Sequence, residues 1–600
     1  MNIYQFEFNK TGKDDLVNKH KGLEDWPIVY LIDGDKELYI GETQNIFNRF
    51  EQHLNNPARK DLKNINVIYD NEFNKSAILD IEQNLIQLCG ADGKYKLQNL
   101  NGGQSYKHDY YDRKRYLDKI DDIWEELKKR GIVNTDINEI RNSDLFKYSP
   151  YNTLTTEQSD ASNKIIKDLI KKLENNIDGT AIINGGAGTG KTIVLINLMY
   201  KLINATKFNI SKKNNGNSDE DDDENDYYSL FLLIQNFVKN FNLNKPLKIA
   251  YICPMTSLRK TIKKVFSLTK NGLESKLVIG PFGIFNDCKD KKILDENGNV
   301  KDEYKYDILL VDEAHRLSRR KNISCMGAFD EHCKALGLDK DKATQLDMIV
   351  KMSKYRILVY DENQTVKGSD LTDDQFNNAL KNSKVLKVSL HTQMRCFGGV
   401  EYTEYINNIF DCTQKEFLMM TNNYDFKLFD KVDDMVNQIK ILDKKYGLCR
   451  NASGYAWEWV SKPYTKLGYK YIMDNGYADI HIDGHDYVWN MTNQEFIISK
   501  NAINEIGCIH TLQGYDLNYV GVILGREIDY DPINNRIVID QTKFFDKNVK
   551  NGTTDLKLKD YILNSYKVIM SRGIKGCYVY AYNKNLREYL KRFILLWTKD

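Results

Sequence analysis

The sequence predicts an α/β chain of several domains, and three observations support this. The chain has 600 residues, more than a single hydrophobic core organises, so two to four domains are expected. Between residues 151 and 385 short apolar runs (AIING, IAYICP, KLVIGPF, DILLVDE, YRILVYDE) alternate with helical patterns, as in a parallel sheet covered by helices on both faces. Near the N-terminus, Ile28-Val29-Tyr30-Leu31-Ile32 runs into an Asp33-Gly34 turn signal and then Leu38-Tyr39-Ile40, which reads as a β-hairpin.

In chain order, residues 1–105 form a small α/β unit, with helical patterns near 44–55 and 76–89 after the hairpin. Residues 106–150 are charged and helical in pattern, and read as a connector. Residues 151–385 make the first parallel-sheet domain. Within it, Ser211 to Asp226 (SKKNNGNSDEDDDEND) holds no apolar residue and its like charges repel, so a disordered insertion is expected over 211–229. Residues 386–600 carry a weaker series, VLKVSL, Gly507-Cys508-Ile509, VGVILG and GCYVYAY, and read as a second α/β domain with an insertion at about 400–500.

Lys+Arg number 86 against Asp+Glu 84, a net charge of +2. With no global basic footprint, any nucleic-acid surface has to be a local groove. The ten cysteines form no CxxC pair, which excludes zinc-ribbon spacing and points to reduced thiols. The N-terminal stretch MNIYQFEFNKTGKDD has no apolar leader core, and no apolar run is long enough to span a bilayer. A cytoplasmic location is therefore expected.

The strongest motif is Gly185-Gly186-Ala187-Gly188-Thr189-Gly190-Lys191-Thr192, between the apolar strand Ala181-Ile182-Ile183 and a helical run. Glycines there turn backbone N–H groups around phosphate oxygens, and the helix N-terminus adds its dipole. Gly185, Gly188 and Gly190 would cradle a nucleotide, Lys191 would reach its β- and γ-phosphates, and Thr192 would bind Mg²⁺. Downstream, the apolar strand Ile308-Leu309-Leu310-Val311 ends in Asp312 and Glu313. A buried strand delivers such carboxylates to the nucleotide end of a sheet. Asp312 would hold Mg²⁺, and Glu313 would orient the attacking water.

Around these motifs, residues 151–590 resemble superfamily 1 helicases and, more closely, the bacterial helicase-like proteins related to the Schlafen C-terminal domain. Carrying the resemblance in order are Thr155-Thr156-Glu157-Gln158, Pro254-Met255-Thr256-Ser257-Leu258, Asp361-Glu362-Asn363-Gln364, Gln393-Met394-Arg395, Thr511-Leu512-Gln513-Gly514-Tyr515-Asp516 and Met570-Ser571-Arg572-Gly573. The family implies two RecA-like domains closing on ATP. It also implies that Gln158 reads adenine, Gln364 senses the γ-phosphate, Gly514 belongs to the nucleotide motifs, and Arg395 and Arg572 stabilise the transferring phosphoryl group. Asp516 stands where this superfamily often has glutamate. Trp457 and Trp459 lie in the expected insertion, where alternate tryptophans of a strand are more often core than base-stacking platforms.

Val29-Tyr30 and Tyr39-Ile40-Gly41 resemble the paired signatures of GIY-YIG nucleases, over residues 26–103. Ile28 replaces the first glycine, and the segment between the signatures is short. Arg49 and His53 share a helix face; Glu82 borders the apolar face of its helix; Asn99 lies in LQNLNGG. The family implies that Glu82 binds one Mg²⁺, that Tyr30 assisted by Tyr39 positions or deprotonates the nucleophile, and that Arg49 clamps the phosphate. His53 would be a supporting proton carrier. Asn99 matches the family's late asparagine.

The expected function is an ATP-driven helicase or translocase coupled to a Mg²⁺-dependent endonuclease on nucleic acid, DNA favoured over RNA. Such a fusion suits defence against foreign DNA. The alternatives are an ATP-switched nucleic-acid sensor that does not cleave and an RNA-directed nuclease, since contacts to a 2′-OH are not legible in a sequence.

Overall fold

The structure, a computed structural model, describes residues 1–99, 110–152, 154–186, 188–205, 222–241, 247–269, 272–288, 291–321, 323, 325–361, 370–391, 398–420, 424–492, 496–499, 501–512, 515–550 and 554–599. It divides into two compact units. The first comprises Met1–Ile177, Thr192–Tyr251 and Lys260–Val278; the second comprises Asp178–Lys191, Ile252–Arg259 and Ile279–Asp600.

In the first unit, β1 (Asn2–Glu7), β2 (Ile28–Gly34), β3 (Glu37–Thr43), β4 (Leu62–Tyr69) and β5 (Lys96–Leu97) form a sheet in the order β1-β4-β2-β3-β5. The expected hairpin is present, with Tyr30 facing Gly41 across the β2–β3 ladder. All seven residues of β2 are buried, because both faces of the sheet are covered. Period-two alternation sends Ile28, Tyr30 and Ile32 to one face with Ile46 and Phe50 of α1 (Ile46–Leu54). Val29 and Leu31 go to the other face with Ile78, Ile81 and Leu85 of α2 (Lys75–Asp92). This alternation puts Tyr30 on the same face as the helix that carries Arg49 and His53.

Residues read as a connector share that core. Ile120, Ile123, Trp124 and Leu127 of α3 (Arg113–Lys129) join the cluster around α2. Buried Asp80 ties the two helices: Arg113 donates Nε to Oδ2 at 2.8 Å and Nη2 to Oδ1 at 3.1 Å, and the Tyr110 hydroxyl donates to Oδ2 at 2.9 Å.

The acidic stretch is not disordered throughout. A helix runs Asp222–Phe241, where Leu230, Phe231, Ile234 and Phe237 are buried at helical spacing and give it an apolar face. Residues 211–221 lie outside the described residues.

The second unit holds two parallel sheets of the RecA-like α/β kind. In the first, β6 (Gly179–Gly185) lies between β11 (Lys384–Leu390) and β10 (Ser353–Tyr360), and β10 pairs on its far side with β9 (Tyr306–Val311), all parallel. At Ile252, the last residue of β7 (Ile249–Ile252), the carbonyl accepts from Asp312 N–H at 2.9 Å. At Ile279, the last residue of β8 (Val278–Ile279), it accepts from Cys253 N–H at 3.0 Å.

The second sheet contains β12 (Asp425–Phe429), β13 (Cys449–Ser453), β14 (Ile506–Gly507), β15 (Leu517–Leu524), β16 (Gly573–Ala581) and β17 (Leu595–Leu596). Its order is β14-β13-β15-β16-β12-β17, all parallel.

Two boundaries need correction. VLKVSL, taken as opening the second domain, is β11, the edge strand beside β6. Apolar patterning marks a strand but not its neighbour. Residues 425–453, inside the expected insertion, supply β12, β13 and the helix Val432–Tyr446 to the second sheet. Trp457 is buried in the core with Trp489, with Trp459 packed against it, as expected of structural tryptophans.

Trp124 is wholly buried and donates Nε1–H to Thr135 O at 2.9 Å. Trp124→Ala is expected to cost the first unit about 3–5 kcal/mol through the cavity it leaves, read as a lowered unfolding midpoint in denaturant. A change below ~1 kcal/mol would contradict this shared core.

Candidate active sites

Parallel strands end together. Beyond β6 comes the phosphate loop, beyond β10 comes Asp361, and beyond β9 come Asp312 and Glu313. The order β6-β10-β9 therefore groups Lys191, Asp361, Asp312 and Glu313 at one edge of the sheet. Gly188 and Gly190 have φ of 85° and 77°, a left-handed conformation that other residues adopt only at a cost. It turns the loop's N–H groups inward.

Lys191, 7% exposed, donates Nζ to Gly185 O at 2.5 Å and Gly186 O at 2.8 Å, and to Asp361 Oδ2 at 3.1 Å. Its ammonium is held by the loop and by a strand-end carboxylate. Asp312 is fully buried, and its Oδ1 accepts from Glu313 N–H at 3.0 Å. Glu313 adopts φ 49°, in the left-handed region, the kind of strain that concentrates at functional sites. Its Oε2 lies 2.9 Å from Nε2 of fully buried His315, an ion-pair distance without hydrogen-bond geometry. Burial pushes the Glu313 carboxyl up. The charge of His315, followed by those of Lys191 and Arg572, outweighs burial and holds it low, near about 2. Arg572 stands just before β16 in the second sheet, 2% exposed, and its carbonyl accepts from Leu517 N–H at 3.0 Å. One carboxylate thus senses cations from both sheets.

Gln158 lies in the first unit. Its side-chain oxygen accepts from Thr155 N–H at 3.0 Å, while its own N–H donates to Thr155 Oγ1 at 3.2 Å. The pair forms a capping box that starts the helix Thr156–Glu174. Thr192 follows Lys191 in the helix Lys191–Asn204. Gln364, Arg395 and Gly514 lie outside the described residues. Asp361 and His315 had no role assigned from sequence. The rule that parallel strands deliver their final residues to one edge would have found Asp361.

In the first unit, Tyr30, Tyr39, Arg49, His53 and Glu82 converge. Arg49 Nε donates to the Tyr30 hydroxyl at 3.2 Å, and that hydroxyl lies 2.8 Å from His53 Nε2. Because the Tyr30 oxygen accepts from Arg49, its own proton points at His53. Nε2 is then the acceptor, with the imidazole proton on Nδ1. Burial, then the charges of Arg49 and Arg59, push the His53 imidazole down to about 3, so it is neutral and ready to accept. Burial pushes the Tyr30 phenol well up and also raises that of Tyr39. Both feel the half-buried Glu82 carboxylate, which therefore belongs to the cluster. A Cβ on Gly41 would sit 2.4 Å from the Tyr30 hydroxyl. The third residue of Tyr39-Ile40-Gly41 is glycine because Tyr30 lies across it. Asn99 accepts from Ile40 N–H at 3.2 Å and donates to Ile40 O at 2.9 Å, clamping the strand that carries Tyr39. Arg59, which no sequence pattern marks, stacks on Tyr39 with Cζ 3.6 Å from the ring centroid.

A family model for the Schlafen group 3 DNA/RNA helicase domain matches residues 179–583. The chain belongs to this family. The Schlafen-type match takes in the phosphate loop, Asp312, Glu313, Asp361 and Arg572; residues 1–178 lie outside it. An uncharacterized protein of Saccharomyces cerevisiae is 26% identical over 448 residues, covering 68% of this chain and 83% of that one. Among solved structures, the chain is similar to the arterivirus nonstructural protein 10 helicase at 11% identity and TM-score 0.28, over 71% of this chain and 64% of that one. It is also similar to the Bacteroides Pif1 helicase in complex with ADP-AlF3 and ssDNA, at 11% identity and TM-score 0.24, over 73% and 94%. Superpositions this loose do not define the geometry of the Schlafen-type domain. Among the described residues no helix is long and apolar enough to cross a membrane, and the nine described cysteines are free.

The depressed His53 pKa sets a pH dependence. The unfolded chain binds a proton near pH 6.5 and the folded one only near about 3. Between these values stability falls as pH falls, by up to about 1.4 kcal/mol per pH unit, and above pH 6.5 the contribution is flat. Denaturation from pH 7 to pH 4 is expected to show a slope shallower by up to one proton in His53→Gln. Identical slopes would mean that His53 protonates in the folded chain.

Proposed function

We propose that this Schlafen-type chain is an ATP-driven motor on nucleic acid whose N-terminal unit cuts phosphodiester bonds as a GIY-YIG nuclease, with DNA as its substrate. The domain division proposed is a nuclease at 1–105 with its helical extension to 150, then two ATPase lobes. The observation that carries the motor is the Glu313 carboxylate sensing Lys191 from one sheet and Arg572 from the other. ATP bound against the loop would have its phosphates met by Lys191 once they displace Asp361. Glu313, held ionised, orients the attacking water. Arg572 stabilises charge on the transferring phosphoryl group, a contact that depends on lobe closure and so couples hydrolysis to movement. Asp312 suits Mg²⁺, being a buried carboxylate already fixed by a backbone N–H, and Thr192 would complete the set.

The cutting chemistry rests on the chain from Arg49 through Tyr30 to His53. Water gives its proton to the Tyr30 oxygen as Tyr30 passes its own to His53 Nε2, and Arg49 steadies the phosphate. Glu82 would hold the single Mg²⁺, which when bound supplies charge neutralisation at the phosphate. Defence against foreign DNA is the role this pairing suits.

Purified protein is assayed with labelled single-stranded, duplex and plasmid DNA and with RNA, in Mg²⁺, with and without ATP. Lys191→Ala is expected to abolish nucleic-acid-stimulated ATP hydrolysis, and Arg572→Ala to lower its kcat by about 100-fold or more. Glu82→Ala is expected to abolish cutting and spare the ATPase. Cutting that survives Glu82→Ala overturns the nuclease assignment. A wild type that hydrolyses ATP on nucleic acid but cuts nothing is a sensor instead, and cutting confined to RNA overturns DNA as substrate.

A further inference from the structure

The tyrosine pocket holds a second guanidinium. Arg59 stacks on the face of Tyr39 at 3.6 Å, and its Nη1 donates to Gln98 Oε1. Gln98 is fixed in turn, donating Nε2 to Glu37 Oε2 at 2.6 Å and to Ala58 O at 3.0 Å. The side chain is therefore braced on one face and one edge. Its buried Nε has no hydrogen-bond partner among the described residues. Stacking orients a planar guanidinium and leaves its remaining edge to recognise an oxyanion.

The charge balance points the same way. The largest electrostatic neighbours of Arg49 and Arg59 are the hydroxyls of Tyr30 and Tyr39, and Arg59 also feels Arg49 as a repelling cation. Burial keeps both phenols protonated, so they do not neutralise the arginines. Two like charges in a half-buried pocket are unfavourable until an anion joins them. They are also spaced apart. Arg49 is bound to Tyr30 and Arg59 to Tyr39, and the two rings are 6.2 Å apart, centroid to centroid. One phosphate does not serve both; two neighbouring backbone phosphates do.

We infer that Arg59 binds the backbone phosphate next to the one that Arg49 holds, so that the pocket takes an internal bond of a polynucleotide and not a terminal nucleotide ester. This rests on the nuclease reading of the same pocket. Arg59 is a specificity-determining residue that does not touch the reacting atoms.

The test uses the full-length protein and single-turnover cleavage of a labelled DNA duplex with a mapped cut site. Arg59→Gln is expected to lower kcat/KM by about 5- to 150-fold, mostly through KM. It should also make the fall of log kcat/KM with log salt shallower by about one. Arg59→Lys, which keeps the charge, should keep the salt slope. A duplex with a neutral methylphosphonate beside the cut site should be cut poorly by wild type and no worse than the native duplex by Arg59→Gln. If Arg59→Gln retains both the wild-type salt slope and the wild-type sensitivity to the methylphosphonate, the inference is overturned even though the protein cuts. If Glu82→Gln still cuts, or wild type does not, the nuclease reading itself falls and takes the inference with it. A purely structural Arg59 would instead lower the unfolding midpoint and leave the salt slope unchanged.

Discussion

Parallel pairing of β6, β10 and β9 is the constraint on which the motor site depends. Strands of one polarity release their chains at the same edge, so a loop and two carboxylate-bearing turns that are distant in sequence end side by side. Nothing else in the unit would place Lys191 3.1 Å from Asp361, 170 residues later. The site is electrostatically dense, with buried Lys191, Asp361, Asp312 and His315 around Glu313. Such a cluster is costly to bury and tolerable only when the charges offset one another. Lys191 answers Asp361; His315, Lys191 and Arg572 answer Glu313. This mutual compensation keeps Glu313 ionised in a place where burial alone would protonate it.

The tyrosine pocket follows a different constraint. β2 is buried on both faces, and its period-two alternation commits Tyr30 to the α1 side. A phenol there has to find a partner. It finds two, Arg49 as donor and His53 as acceptor, which give its proton one direction. The core that supports β2 from the opposite face continues into α3 through Trp124, so the stretch read as a connector is part of what holds the pocket rigid.

Many elements were legible because they rest on local rules. The strand-ending glycines and lysine of the phosphate loop, the β2–β3 hairpin, the helices bearing Arg49, His53 and Glu82, and the strand before Asp312 all follow from periodicity and turn chemistry. Three features were not. VLKVSL looked like any other edge-compatible strand, and only pairing with β6 assigns it to the first sheet. The helix at 222–241 was hidden because acidic composition outweighed the apolar residues that follow it. Arg59 lies in a short turn with no motif around it, and stacking on Tyr39 is a contact that no spacing rule predicts.

By itself the sequence determined the α/β class, the nucleotide loop, the family of the larger part of the chain and most residues of both pockets. These are properties of short segments, and short segments carry their own turn and burial patterns. Tertiary structure decided which strands are neighbours, which carboxylate restrains Lys191, where Arg572 exerts its charge and which way the Tyr30 proton points. Those depend on distances between residues far apart in the chain, and such distances exist only after the sheets have chosen their order.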